Sequence, residues 1–256
     1  MNEKTFNTAF NIFILAGMLV AVAVSNYFKL QQPEADKVLL VVASIGAVMG
    51  VVNTVLSANG KILTFLFGIL DVSIYGYVCL HNGILGQFAL HAFYFLPMQF
   101  IGFWQWRKRG AEGGKQVRAR RFTRRHWLYF AIAVVAGFAL AYGVLYGIDR
   151  AKVAAGTLPA VDSVKLVTDA AALVFNILGQ VLLSLAFAEQ WICWLLVNAF
   201  SITIWANALA RGGADASALV MLLKYSFYFV NALNGLRIWL KLSRPADVAI
   251  APPGEA

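Results

Sequence analysis

The stretch QWICWLLVNAFSITIWANALA, residues 190–210, runs 21 positions without a charged residue. An α-helix rises about 1.5 Å per residue, so a run of this length matches the roughly 30 Å hydrocarbon core of a bilayer. It lacks the alternation over about ten residues that a strand of a membrane barrel would carry. Similar apolar runs fill 8–28, 38–58, 62–80, 84–106, 127–148, 164–187 and 216–240, which together predict eight transmembrane helices. The whole chain has the composition this requires: of 256 residues 61% are hydrophobic and 13% charged, with a mean hydropathy of +0.71. Soluble chains carry about 25% charged residues. Eight crossings use most of the chain and leave no room for a separate soluble domain, so the sequence predicts an all-α integral membrane protein.

Only Asn59, Gly60 and Lys61 separate the second run from the third, which predicts a tight turn there. The first run is longer than the apolar core of a signal peptide and has no small-residue cleavage site ahead of Tyr27, so it is expected to stay as a helix. Cys79 and Cys193 both lie in apolar runs, which argues against a disulfide framework or a zinc site.

Short cytoplasmic loops retain Lys and Arg. With the N-terminus inside, the loop 107–125 contributes nine cations, and Lys4, Lys61, Arg237, Lys241 and Arg244 bring that side to fourteen. Six fall on the other side: Lys29, Lys37, Arg150, Lys152, Lys165 and Arg211. Both termini are therefore expected in the cytoplasm. The net charge of +9 is then a topology signal, with the basic loop facing anionic lipid head groups, and no nucleic-acid partner is expected.

The halves of the chain resemble each other. Residues 67–83 slide by 130 onto 197–213, pairing Asp71 with Ser201, Ser73 with Thr203 and Tyr75 with Trp205. Gly102, Trp106 and Lys108 pair with Gly235, Trp239 and Lys241 at an offset of 133, and Asn53 pairs with Asn176 at 123. These matches predict two three-helix units, 38–106 and 164–242, joined through the basic loop and a linker helix over 107–163. An additional helix over 1–37 precedes them and a disordered tail over 243–256 follows. A single linker makes the repeat parallel and points to a small-molecule site between the units.

Polar side chains at membrane depth are costly unless they pair or line a cavity, so their helical spacing is informative. Trp191, Trp194, Asn198, Ser201 and Trp205 form one stripe; Asp169, Asn176, Gln180 and Ser184 a second; Tyr228, Asn231, Asn234 and Gly235 a third; Gly46, Gly50, Asn53 and Ser57 a fourth. Individually such residues also serve helix packing, and tryptophans near helix ends serve the interfacial belt. Eight amides in or near the second to eighth helices are more than packing needs, and amides both donate and accept. No G-x-x-x-x-G-K-[ST] loop, H-E-x-x-H spacing or nucleophile–base pair is present, so no ATP-binding engine, metal centre, cofactor or enzymatic activity is expected.

The segment Trp191-x-x-Trp194-x-x-x-Asn198, continuing through Ser201 to Trp205, with Tyr75-Gly76 and Gln99-x-x-Gly102-x-x-x-Trp106, resembles the PnuC family of bacterial nicotinamide riboside transporters over roughly residues 40–242. The resemblance implies a fold similar to full-length SWEET sugar transporters, a homotrimer in the inner membrane, facilitated import of the riboside and trapping by a cytoplasmic kinase. It implies that Gln99, Trp191, Trp194 and Asn198 bind substrate; the motif and stripes add Asn53, Tyr75, Asn176, Tyr228, Asn231 and Asn234. The riboside's cationic ring suits an indole face, and its carboxamide and hydroxyls suit amides. Relatives for thiamine or riboflavin, proton coupling through Asp71, Asp169 or His91, and a membrane receptor or enzyme are the competing expectations.

Overall fold

The computed structural model describes residues 2–31, 36–210 and 216–244, so Arg211 and nearly all of the expected tail lie outside the described residues. The described residues form eight helices: α1 (Glu3–Leu30), α2 (Lys37–Ala58), α3 (Thr64–His81), α4 (Leu85–Leu90, a π turn His91–Phe95, then Leu96–Lys108), α5 (Arg124–Ala154), α6 (Ser163–Ser184), α7 (Gln190–Ala210) and α8 (Ala216–Leu242). No strand is present among them; two isolated bridges pair Lys61 with Gln116 and Arg120 with Phe187. Among the described residues six helices are long and apolar enough to cross a membrane by length and composition. The chain is a multi-pass membrane protein.

Local chemistry sets the helix ends. Asn2, Asp36, Thr123 and Asp162 accept from backbone N–H groups of the first turns of α1, α2, α5 and α6, satisfying donors that a helix start leaves free. Gly60 (φ +63°) and Ala186 (φ +60°) reverse the chain after α2 and α6 in the left-handed region that ends helices, the second at the cost of a Cβ. The π turn in α4 immediately precedes Leu96 and Pro97, whose ring removes the N–H that a regular helix would give to Phe93 four residues back.

A set of contacts recurs between α2–α4 and α6–α8. Trp106 on α4 donates to the Leu183 carbonyl on α6 at 2.7 Å, and Trp239 on α8 donates to the Ser57 carbonyl on α2 at 3.0 Å. The two indoles meet at 5.2 Å between centroids; Phe65 packs edge-on against Trp106 at 4.8 Å, and Trp191 against Trp239 at 6.3 Å. Consecutive loop residues Arg118 and Ala119 donate to the carbonyls of Arg109 and Leu242, both at 3.2 Å. Trp106 and Trp239, Gly102 and Gly235, and Arg109 and Leu242 stand 133 apart, the offset read from sequence. Gly60 and Ala186, Ser57 and Leu183, and Phe65 and Trp191 stand 126 apart, not 130 or 123. The sequence offset of 130 slipped by four residues, about one helical turn, which leaves every side chain on nearly the same face and is hard to detect in apolar helices.

The basic loop is bonded into the bundle. Val117 donates to the Gly60 carbonyl at 3.0 Å and Arg120 to the Ala186 carbonyl at 2.7 Å, so the loop straps both turns to the end of α8. Arg120 lies over the Phe187 ring at 4.2 Å, and Arg121 pairs with the buried Glu189 at 2.9 Å. Burial, then Arg120 and Arg118 nearby, holds the Arg109 guanidinium below its usual value. Loop residues Ala111, Val117 and Ala119 complete a core with Phe65, Trp106, Trp191 and Trp239, which plugs this end of the bundle. Arg237 and Lys241 on α8 pair with Glu3 on α1, and Asn11 exchanges amide hydrogen bonds with Asn59, placing the start of α1 and the end of α8 at the loop's end of the bundle. The linker α5 has no buried residue and exposes Leu128, Ile132, Val135 and Leu140, an apolar surface suited to hydrocarbon.

Candidate functional site: a central cavity

A cavity of about 770 Å³ opens above the aromatic plug, lined by side chains from every helix except α1. Its size falls in the roughly 300–1,000 Å³ range of small-molecule sites. Nearest the plug lie Ser57, Gln180, Leu183 and Trp191; toward the opposite end lie Gln87 and Asp169, within two turns of the starts of α4 and α6.

Of the ten residues expected from sequence, Asn53, Tyr75, Asn176, Trp191, Trp194, Asn198, Tyr228 and Asn231 line the cavity. Gln99 and Asn234 do not. Gln99 lies 4% exposed between α3 and α4, its amide so close to Gly68 that a Cβ there would collide with it, and its Nε2 donates to Phe95 at 3.4 Å. Asn234 accepts from Arg237 at 2.9 Å. Both stand on the right helix, but each is bonded to a neighbour on its own element, Gln99 through Nε2 and Asn234 through Oδ1 alone. Gln87, Tyr225 and Leu145 also line the cavity and were not singled out from sequence. Tyr225 precedes Tyr228 by three positions, so a longer stripe on α8 would have included it. Gln87 and Leu145 carry no such signal, because a broken helix and the linker helix gave no stripe to extend.

The indole stripe owes its placement to glycine. A Cβ on Gly235 would lie 2.6 Å from the Trp191 ring, and one on Gly179 would lie 3.2 Å from the Trp194 ring. Gly235 therefore lets α8 approach close enough to set Trp191 between plug and cavity. Gly235→Ala is expected to push Trp191 off this position, costing about 1–3 kcal/mol of stability as overpacking and weakening ligand binding with it. Thermal unfolding and ligand titration of the purified variant check both.

Hydrogen bonding in the cavity is incomplete. Trp191 is 3% exposed and Asn231 fully buried, yet the Trp191 Nε1–H and the Asn231 Oδ1 have no partner among the described residues. The Asn231 amide donates its other side to the Thr54 carbonyl at 3.4 Å, which fixes Oδ1 as the free atom. Buried polar groups left unmade cost about 1–3 kcal/mol each, so a ligand that accepts from one and donates to the other recovers that cost. Asn53 accepts from the Thr64 hydroxyl at 2.5 Å, and Asn176 is held by its own helix through Ala172 at 2.8 Å.

The charge of the lining is equally specific. Asp169 is the one formally charged side chain among the described lining residues, and no Lys or Arg is among them. Lys224, inside α8, instead places its ammonium 5.6 Å from the Tyr228 ring centroid. Asp71 packs against Gly50, where a Cβ would lie 2.8 Å from its carboxylate, and does not line the cavity. Among the described residues no group of His, Cys, Asp and Glu could hold a metal ion.

The sequence profile of a family described as nicotinamide mononucleotide transporter matches residues 40–241, which spans α2 through α8. A protein of Neisseria mucosa named nicotinamide riboside transporter PnuC is 35% identical over 204 residues, covering 78% of this chain and 72% of that one. The protein of the same name in Haemophilus influenzae is 29% identical over 202 residues, covering 78% and 79%. A crystal structure described as that of the vitamin B3 transporter PnuC superposes with a TM-score of 0.61 at 30% identity, covering 90% of this chain and 92% of that one. The bundle, its cavity and these likenesses agree: the chain belongs to the PnuC family of membrane transporters.

Proposed function

We propose that the protein carries nicotinamide riboside across the bacterial inner membrane by facilitated diffusion, through the central cavity, with the basic end and both termini in the cytoplasm. The cavity's content carries this reading: indoles and phenols for a cationic ring, an unpartnered donor and acceptor for a carboxamide or hydroxyl, and no cationic side chain among the described lining. The family description names the mononucleotide and the relatives' names the riboside, and the two ligands differ by a phosphate. Phosphate sites are built from Arg, Lys or bundled N–H groups, none of which the described lining offers. The riboside is therefore the substrate and a cytoplasmic kinase that adds the phosphate would prevent its return. Trp191, Trp194, Asn198 and Asn231 are the proposed contacts, with Asn53, Tyr75, Asn176 and Tyr228 around them; Gln99 and Asn234 support the helices behind. The proposed assembly is a homotrimer in lipid.

Calorimetry on the purified protein is expected to give binding of the riboside at least a hundredfold tighter than of the mononucleotide, and proteoliposomes are expected to equilibrate the riboside without an imposed ion gradient. Equal affinity for the two ligands, or uptake that requires a proton gradient, would overturn this assignment.

A further inference from the structure

We infer that Asp169 is a specificity-determining residue that selects for the positive charge of the ligand, a role that rests on the proposed riboside function and deepens it. Asp169 stands on α6 within two turns of its start, where the cavity lining approaches the end opposite the plug. It is the one formal charge among the described lining residues, and the lining deeper in includes the indoles of Trp191 and Trp194, whose π faces are electronegative. Asp169 therefore makes its end of the cavity negative, and low-dielectric walls focus such a field; the Lys224 ammonium lies farther along, over the Tyr228 ring.

The carboxylate is shared. Lys165, one turn back on α6, reaches it at 2.5 Å, but Lys165 is 66% exposed, so this pair lies in high dielectric and its attraction is largely screened. Asp149 on α5 and Asp162 at the start of α6 also face Lys165, which leaves the lysine oversupplied with carboxylates and Asp169 incompletely neutralised. A pyridinium moving inward past this rim exchanges one cationic partner for another. A neutral molecule of the same shape gains nothing from it.

Nicotinamide riboside and its two-electron-reduced dihydropyridine form provide that comparison, because they share size and hydrogen-bonding groups and differ in charge. In calorimetry on the full chain at low ionic strength, Asp169→Asn is expected to raise Kd for the cation three- to tenfold more than for the neutral form. Asp169→Glu, which keeps the charge, is expected to restore most of the preference, and Lys165→Gln to increase it. The preference should shrink in high salt, which a merely structural role would not produce. Equal changes for both forms in Asp169→Asn, or a preference indifferent to Lys165→Gln and to salt, would overturn the inference while leaving the riboside assignment standing. Failure of the unsubstituted protein to bind the cation would instead overturn that assignment.

Discussion

Trp106→Ala is expected to be among the most destabilising single substitutions in the chain. The indole is fully buried, touches Phe65 and Trp239, and donates to Leu183. Truncating a buried Trp costs about 3–5 kcal/mol through lost packing and the void left behind, and here it also strands a carbonyl. Trp239→Ala should cost a similar amount, since Trp239 makes the equivalent bond to Ser57. Phe at either site keeps a six-membered ring but loses the pyrrole part of the indole and the hydrogen bond, which should cost about 1–3 kcal/mol. The two rings touch, so the double Ala variant should lose less than the summed singles by about 0.5–1.5 kcal/mol. Detergent-solubilised unfolding by denaturant or heat reads all five values. Full additivity would mean that the two sets of helices do not share one plug.

Trp194→Ala is expected to abolish measurable riboside uptake while leaving a folded protein. Trp194 is only partly buried and lies on the cavity side of the plug, bonded through Nε1 to Gln190 at 3.4 Å. Losing an indole stacked on a desolvated cation removes about 2 kcal/mol or more, and removal of a ligand's central aromatic anchor commonly costs 2–4 kcal/mol. That is some thirtyfold to several hundredfold in Kd. Trp194→Phe keeps a weaker ring and should retain partial uptake. Asn198→Ala, at a buried lining amide, should weaken binding by about tenfold, in keeping with one or two lost hydrogen bonds. Retained uptake by Trp194→Ala in proteoliposomes would remove the α7 stripe from the proposed site.

The loop 107–123 gives the carrier cycle a physical constraint. Its backbone bonds to both turns and to the end of α8, so the plugged end cannot open unless the loop moves with one side or releases the other. Sequence gave that segment a charge count and no structure, because its partners are backbone carbonyls, which composition does not register.

Helix number, membrane residence and the stripe of α7 were all legible in the chain itself, because hydrocarbon permits little besides long apolar helices and taxes every polar group placed in them. Trp191, Trp194 and Asn198 could be picked out for that reason: their spacing is fixed by one helix. Gln99 and Asn234 looked equivalent on the same criterion, and only the folded structure, with Gly68 of α3 against one and Arg237 of the same helix bonded to the other, leaves them out of the cavity lining. The register of 126 between the two turns, the crossed Trp106 and Trp239 bonds, and the solitary charge of Asp169 in the described lining are likewise properties of how helices meet. Periodicity along one helix determines which side chains share a face; what that face meets depends on crossing, depth and neighbours far away in the chain, and these exist only once the bundle has closed.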